Sequence, residues 1–254
     1  MARIFITGST DGLGLEAARL LLGEGHEVVL HARSRERAAQ FGDVAGQAAG
    51  IAVGDLANAA ETCGVAEQVN AIGPMDAVIH NAGIYTAPTR GSTPEGHAVT
   101  LAVNTLAPYI LTALIERPAR VVYMSSGLHR GGEGSLPDID WTVRRWDGAK
   151  AYAETKLQLA ALAFALGRRW PGVASHAVDP GWVRTRMGGP SAPVGLEAGA
   201  RTQSWLAATD DPAARPSGYW HAMRRQEPAA EAADTEFQDA LLAKLEVLTG
   251  VALP

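Results

Sequence analysis

The residues best suited to proton transfer in this chain are a tyrosine and a lysine four positions apart. Tyr152 and Lys156 lie in the segment Tyr-Ala-Glu-Thr-Lys, and this spacing puts both side chains on one face of a helix. A phenol has a reference pKa near 10, so it acts as an acid or base at neutral pH only if a neighbouring group, such as an ammonium, stabilises its anion. The chain has 19 Arg but only 3 Lys, which indicates a specific role for Lys156 rather than an interchangeable surface charge.

A hydroxyl that could bind a reacting oxygen follows the apolar run at 120–125. Ser125 is the last residue of this run, and Ser126 follows it directly. An oxygen that gains negative charge during a reaction needs a nearby hydrogen-bond donor, which either hydroxyl could be. Two serines at the end of a strand also form ordinary turns, so both interpretations stay open.

A glycine-rich turn follows the first apolar run of the chain. Gly8, Gly12 and Gly14 have the spacing G-x-x-x-G-x-G, not the G-x-G-x-x-G of the general dinucleotide fingerprint. A strand, such a turn and a helix N-terminus bring backbone N–H groups and the positive end of the helix dipole to one place. The turn therefore predicts a site for a dinucleotide pyrophosphate.

The second strand ends without the acidic residue that would hold the ribose 2′-hydroxyl of NAD. It runs into Arg33 and Ser34, and the next acidic residue is Glu36. A guanidinium and a hydroxyl suit the 2′-phosphate of NADP. We therefore expect NADP(H) as the preferred cofactor and keep NAD(H) as the alternative, because the carboxylate of Asp11 in the glycine turn opposes a phosphate.

Short β-rich runs alternate with longer segments of helical composition, and this order predicts an α/β fold with a doubly wound parallel sheet covered by helices on both faces, a Rossmann architecture. The predicted strands are 3–7, 27–31, 50–53, 76–80, 120–125 and 174–178, and the predicted helices are 13–23, 35–40, 59–71, 95–116, 151–168 and 196–208.

The length of 254 residues suits one domain over 1–254. Irregular glycine-rich segments interrupt the alternation, and we expect substrate loops at about 127–150 and 186–210, because ligands of open α/β sheets bind beyond the carboxyl ends of the strands.

Composition excludes several other classes. The net charge of −5 opposes binding to nucleic acid or to an anionic membrane surface. No apolar run approaches the ~18 residues of a membrane span, and the single Cys63 can form neither an internal disulfide nor a cysteine-based metal site. We therefore expect a cytoplasmic protein and invoke no metal.

Taken together, these motifs resemble the short-chain dehydrogenase/reductase family over nearly the whole chain. The segments His-Asn-Ala-Gly at 80–83, Asp-Leu at 55–56 and Asp-Pro-Gly-Trp-Val-Arg-Thr at 179–185 look like its cofactor motifs, with His80 in place of a frequent Asn. The resemblance assigns catalysis to Asn104, Ser126, Tyr152 and Lys156, with Thr155 in place of the usual Ser before the lysine. The predicted cofactor-binding residues are Gly8, Ser9, Thr10, Gly12, Leu13, Gly14, Arg33, Ser34, Asp55, Leu56, Asn81, Ala82, Gly83, Tyr152, Lys156, Pro180, Gly181, Val183 and Thr185.

More narrowly, the chain is similar to the branch of retinol-dehydrogenase-like and WW-domain-oxidoreductase-like members. The resemblance implies hydride transfer between nicotinamide and the carbonyl or secondary alcohol of a small molecule. Tyr152 would act as acid or base, Lys156 would lower its pKa, Ser126 would bind the substrate oxygen, and Asn104 would anchor a water that links Lys156 to solvent. The candidate lining of an apolar substrate pocket is Ile84, Tyr85, His129, Trp141, Trp182 and Met187, each of which has a core-packing alternative.

The family also implies a homodimer or homotetramer, and the apolar helices around 106–114 and 157–166 could form its interface, although buried core helices would show the same pattern. Two other functions remain open at this point. A dinucleotide-sensing regulator would have the fold without turnover, and a sugar-nucleotide epimerase or dehydratase would belong to the related longer-chain type.

Overall fold

A computed structural model describes residues 1–85 and 88–254. Eight strands form one sheet in the order β3-β2-β1-β4-β5-β6-β7-β8, in which all neighbours are parallel except the last pair. The α/β fold class is therefore confirmed. The strands are β1 (Arg3–Ile6), β2 (Glu27–Ala32), β3 (Gly50–Val53), β4 (Ala77–His80), β5 (Arg120–Met124), β6 (Ala174–Asp179), β7 (Gly218–His221) and β8 (Arg224–Gln226).

The helices cover both faces of this sheet. They are α1 (Gly12–Gly23), α2 (Arg35–Ala38), α3 (Ala59–Ile72), α4 (Val99–Leu101), α5 (Ala107–Leu114), α6 (Gly148–Arg169), α7 (Leu196–Ala208), α8 (Ala230–Ala233) and α9 (Thr235–Thr249). Between α4 and α5, residues Ala102–Leu106 form a π-helical turn. On one face α1 packs against α7, and on the other α3 packs against α5 while α8 and α9 pack against α6.

The core consists of apolar side chains that both faces of the sheet bury against these helices. In β1, Ile4 and Ile6 face α1 and α7, while Phe5 faces α3 and α5. Alternating side chains of one parallel strand are thus both buried, which explains why these strands are apolar throughout. The sheet holds the carboxyl ends of β1 to β6 at one edge, where the turns that follow them meet.

The C-terminal part of the chain adds elements that the sequence prediction did not contain. β7 and β8 extend the sheet, with β8 antiparallel, and α9 begins at the Asp234 cap and ends at Gly250, whose φ is 67°. Gly250 adopts the left-handed conformation that commonly ends a helix. No helix among the described residues is long and apolar enough to cross a membrane.

Candidate active site

A cavity of about 910 Å³ opens at the carboxyl ends of the parallel strands. This is the edge at which open α/β sheets bind ligands. It runs from the glycine turn after β1, past the ends of β2, β3 and β4, to the first turns of α6 and the segment after β6. The wall contains Gly8, Thr10, Asp11, Gly12, Leu13, His31, Arg33, Arg37, Asp55, Leu56, Asn81, Ala82, Gly83, Ile84, Tyr85, Val103, Met124, Ser125, Tyr152, Lys156, Pro180, Arg184, Thr185, Arg186, Met187 and Leu196.

The glycine turn packs directly onto the segment after β4. Gly8 has a φ of 62°, and a Cβ on it would lie 2.9 Å from the Cα of Ala82, so a side chain here would push the two segments apart. The Asn81 amide donates to the carbonyl oxygens of Thr7 (3.0 Å) and Gly8 (3.2 Å). The turn is therefore fixed in a conformation that leaves the start of α1 open to a phosphate, and these residues fit a dinucleotide.

His31 supports this turn from the end of β2. Its Nδ1 accepts the N–H of Gly8 at 2.9 Å, so Nε2 carries the proton and donates to the carbonyl of Gly54 at 3.0 Å. Burial lowers the pKa of His31 to about 4. The neutral ring thus joins the glycine turn to the end of β3, a role that the sequence analysis missed.

The adenosine end of the cavity is rich in guanidinium groups. Arg33 is exposed and lines the wall, and within the described residues it has no hydrogen-bond or ion-pair partner. Arg37 donates from Nη2 to Thr10 Oγ1 (3.0 Å) and to Asp11 Oδ2 (2.9 Å). Arg186 lies 3.6 Å from the same carboxylate. Asp11, which the sequence analysis treated as an unfavourable charge, is thus compensated by two cations.

Tyr152 and Lys156 lie side by side at the inner end of the cavity. The Lys156 ammonium nitrogen is 5.4 Å from the centre of the Tyr152 ring and donates to the Met124 carbonyl at 2.7 Å. Burial lowers the pKa of Lys156 to about 7. Burial also raises the pKa of Tyr152 to about 12, an effect that outweighs the lowering by the Ser126 hydroxyl. Without cofactor, therefore, the phenol stays protonated, whereas the sequence analysis expected Lys156 to lower its pKa.

Hydroxyl and amide groups hold the helix that carries these two residues. Thr155 donates to the Tyr152 carbonyl (2.7 Å) and accepts from the Asn104 amide (3.1 Å). Asn104, buried in the π-helical turn, also binds both the N–H and the carbonyl of Ile84. Ser125 donates to the Lys156 carbonyl at 2.8 Å. Asn104 therefore links the segment after β4 to α6.

Most of the residues predicted from the sequence meet at this cavity. The described wall lacks Ser9, Gly14, Ser34, Gly181, Val183, Asn104 and Ser126 from the predicted set. Ser9 is buried and bonded to His31 (2.8 Å), and Ser34 caps α2. Missed residues in the wall include Arg37, Arg184 and Arg186. The side chains of Arg37 and Arg186 contact Asp11, which is distant in sequence.

Three of the predicted substrate-pocket residues lie outside the wall. His129 is buried, with Nδ1 2.7 Å from the Ser126 carbonyl and Nε2 accepting the N–H of Ala229 at 2.9 Å. Trp141 is buried and donates to Glu154 at 2.9 Å. Trp182 is exposed and donates to the Gly188 carbonyl at 2.8 Å. His129 thus binds two backbone segments, and Trp141 binds a side chain of α6. Ile84, Tyr85 and Met187 do line the cavity.

Known proteins are similar to this chain in sequence and in fold. The family model described as short chain dehydrogenase matches residues 2–193. The short-chain dehydrogenase chyC of Penicillium rubens is 41% identical over 259 residues, covering 100% of both chains. Human retinol dehydrogenase 13 is 26% identical, over 99% of this chain and 85% of its own. A crystal structure of an uncharacterised protein from Mycobacterium paratuberculosis superposes with a TM-score of 0.85 at 26% identity, covering 100% of this chain and 95% of that one.

The parallel sheet with a cavity at its carboxyl edge defines the Rossmann class, in which dinucleotides bind at this edge. With the family match over residues 2–193, the chain belongs to the short-chain dehydrogenase/reductase family, and it acts on CH–OH groups or the corresponding carbonyls.

Proposed function

We propose that this protein is an NADP(H)-dependent dehydrogenase/reductase that transfers hydride between the nicotinamide C4 and a carbonyl or secondary alcohol of a hydrophobic small molecule. The observation that carries the proposal is one continuous cavity with Tyr152 and Lys156 at its inner end and Arg33 and Arg37 at the other. NADPH would bind at both ends at once, with its nicotinamide near Tyr152 and Lys156 and its additional phosphate near Arg33 and Arg37.

The charges at the adenosine end favour a phosphate over a hydroxyl. Arg33, Arg37 and Arg186 line the cavity, and the last two contact the carboxylate of Asp11. Planar guanidinium groups bind phosphate with paired hydrogen bonds. Arg37 is already held in place by Thr10 and Asp11, so it loses little conformational freedom when it binds.

The chemistry of the inner end suits reduction of a carbonyl. The bound nicotinamide supplies or accepts the hydride. Tyr152, protonated because burial raises its pKa to about 12, gives its proton to the developing alkoxide, as a general acid does. Ser126 interacts with the same phenol and donates a hydrogen bond to the substrate oxygen. Lys156 binds the nicotinamide ribose, and its ammonium form stabilises the tyrosinate left after proton transfer.

The substrate end of the cavity is partly apolar. Ile84 and Met187 line it, and the ring of Tyr85 meets that of Tyr152 edge to face at 4.7 Å. This surface favours a ketone or alcohol with an apolar body next to the reacting carbon.

Cofactor preference is tested by binding alone. We expect fluorescence titration to give a lower dissociation constant for NADPH than for NADH. Arg33→Gln and Arg37→Gln should each weaken NADPH binding by about tenfold and leave NADH unaffected, since each loses a charge-assisted hydrogen bond to phosphate. Arg35→Gln changes the same charge on α2 at a residue outside the described wall and should change neither constant. Tighter binding of NADH by the wild type would refute the NADP assignment.

The catalytic role of Tyr152 is tested by Tyr152→Phe. NADPH oxidation should be followed with a panel of hydrophobic ketones and aldehydes. The variant should lose turnover by a factor of about 10² or more, because the general acid is gone, while its NADPH dissociation constant stays within about twofold. Turnover retained by the variant would remove Tyr152 from this role.

A further inference from the structure

A carboxylate and an imidazole, Asp179 and His221, form a pair at the ends of β6 and β7 that the mechanism above does not use. They are directly opposite each other in the sheet register. His221 Nδ1 lies 3.1 Å from the Asp179 carbonyl oxygen and 3.3 Å from Oδ2. Asp179 Oδ1 accepts the N–H of Gly181 at 2.9 Å. Neither residue was assigned a role by the sequence analysis.

The pair lies beside the segment that carries Ser126, although neither side chain belongs to the described wall of the cavity. A Cβ on Gly127 would stand 3.1 Å from Asp179 Oδ2, and Gly127 directly follows Ser126, whose hydroxyl interacts with Tyr152. The Asp179 charge acts on Tyr152 itself, and the next residue, Pro180, lines the cavity. A substrate whose oxygen reached Ser126 and Tyr152 would therefore have its neighbouring substituents near Asp179.

The pair has free hydrogen-bond acceptor positions. Both contacts of His221 Nδ1 are to oxygen, so Nδ1 carries a proton, and in the neutral imidazole Nε2 then has a lone pair. We find no partner for Nε2 in the described ranges. Each oxygen of the Asp179 carboxylate has two acceptor positions. The N–H of Gly181 uses one position on Oδ1, whereas the hydrogen bond of His221 Nδ1 goes to the Asp179 backbone carbonyl, with Oδ2 at 3.3 Å. The side chains are accessible, with 16% of Asp179 and 37% of His221 exposed.

We propose that Asp179 and His221 determine substrate specificity by binding a hydrogen-bond-donating group, a hydroxyl or an ammonium, that the substrate carries next to its reacting carbonyl. This inference rests on the proposed function and narrows its substrate class. The substrate then has an apolar body, against Ile84 and Met187, and one polar donor on the β6–β7 side. A binding site that hydrogen-bonds a donor discriminates against analogues that lack it, because its partly buried acceptors then lose that partner.

The test compares three matched ketones: butanone, 1-hydroxy-2-butanone and 1-amino-2-butanone. With NADPH, the wild type should have a kcat/KM at least tenfold higher for one of the two donor-bearing ketones than for butanone, since a hydrogen bond to a charged group is worth about this factor. The two compounds distinguish a hydroxyl from an ammonium. Asp179→Asn should remove the preference mainly through KM, because this contact is made equally in ground and transition states. His221→Gln should reduce the preference for the donor-bearing ketone.

Asp43→Asn provides the control, since it removes the same charge from an exposed residue in the segment after α2, outside the described cavity wall, and should leave the preference intact. Calorimetric titration of the three ketones into the NADP-loaded protein gives a second readout that needs no turnover. Equal binding of all three by the wild type, or a preference that persists in Asp179→Asn, overturns the inference. If the protein turns over butanone but does not prefer the donor-bearing ketones, the specificity inference fails and the proposed reaction stands. If no ketone or alcohol is turned over, the proposed function fails, and the binding titration still tests the inference.

Discussion

At the scale of single residues, burial dominates the electrostatics of the site. Within residues 1–85 and 88–254, the Lys156 ammonium donates one hydrogen bond, to the Met124 carbonyl, and it is buried from solvent. Removing an ammonium from water disfavours its charged form, so the folded protein binds this proton more weakly than the unfolded chain. Lys156, to which the proposed reaction assigns a role, therefore lowers the stability of the folded protein.

This cost predicts how stability depends on pH. The pKa of Lys156 is about 7 in the folded protein and about 10.4 in an unfolded chain. Between these values only the unfolded state binds the proton, so the free energy of unfolding rises with pH, by about 2 kcal/mol from pH 7 to pH 9. Urea denaturation at pH 7 and at pH 9 measures this difference in the free energy of unfolding. Lys156→Met should abolish most of this rise and stabilise the protein at pH 7.

The matched control for that prediction is Lys150→Met, at an exposed lysine of the same helix. It should retain the full pH dependence of the wild type. A Lys156→Met variant whose stability still rises between pH 7 and 9 would show that another group carries the effect.

At the scale of elements, the loop between β5 and α6 is held by a buried ionic cluster. Glu154 on α6 is 2% exposed and accepts from Arg144 Nη1 (2.8 Å), Arg144 Nη2 (3.0 Å) and the Trp141 indole (2.9 Å). The Arg144 guanidinium also stacks 3.9 Å from the centre of the Trp141 ring. Because Tyr152 lies two residues before Glu154, this cluster fixes the first turns of α6 as well as the loop.

Arg144→Leu should therefore destabilise the protein by about 3–5 kcal/mol, because it leaves the Glu154 carboxylate buried without a cation. Adding Glu154→Gln in the same chain should recover part of the loss by removing the charge. Arg145→Leu, at the exposed neighbouring residue, should change the free energy of unfolding by less than about 0.5 kcal/mol. Chemical denaturation of the four proteins measures these differences, and equal effects of Arg144→Leu and Arg145→Leu would contradict the role of the cluster.

Local sequence was sufficient for the elements that are regular and buried. The predicted strand at 50–53 and helix at 196–208 agree with β3 and α7 in both ends, because turn residues flank a short apolar run in one case and a periodic segment in the other. β8 was missed because Arg224–Gln226 is exposed and polar, and its pairing with β7 is a tertiary effect. α9 was predictable, since Asp234, the apolar spacing of 237, 241, 245 and 248, and Gly250 mark its start, face and end.

The site was predictable to the extent that it depends on backbone turns and on α6. The glycine turn, Tyr152 and Lys156 follow from short motifs that place them at known points of a strand or helix. Arg37 was not predictable, because its direction is set by Asp11, 26 positions away. His31 was missed for the same reason: its partners Gly8 and Gly54 are each 23 positions distant.

At the scale of the whole molecule, the C-terminal elements cover the helix faces that the family resemblance assigned to a dimer. Fifteen residues of α6 are buried within the chain, and Leu241, Leu242 and Leu245 of α9 belong to the same core cluster. Tyr109 on α5 donates to the Val251 carbonyl at 2.8 Å, and Trp170 after α6 donates to the Pro254 carbonyl at 2.6 Å. The apolar pattern at 106–114 and 157–166 is thus satisfied inside one subunit.

This packing predicts that α5 and α6 do not form a subunit interface while α9 is docked. Light scattering at micromolar concentration should give the mass of one chain, 26.6 kDa, unless another surface associates. Leu245→Asp places a charge in the buried contact of α9 with α6, and by uncovering apolar surface it should produce larger species. Val247→Asp, on the same helix at a residue that is 79% exposed, should leave the mass unchanged. A wild-type dimer that cross-links through α6 would contradict the prediction, because a second chain cannot pack on the face of α6 that α9 of the same chain already covers.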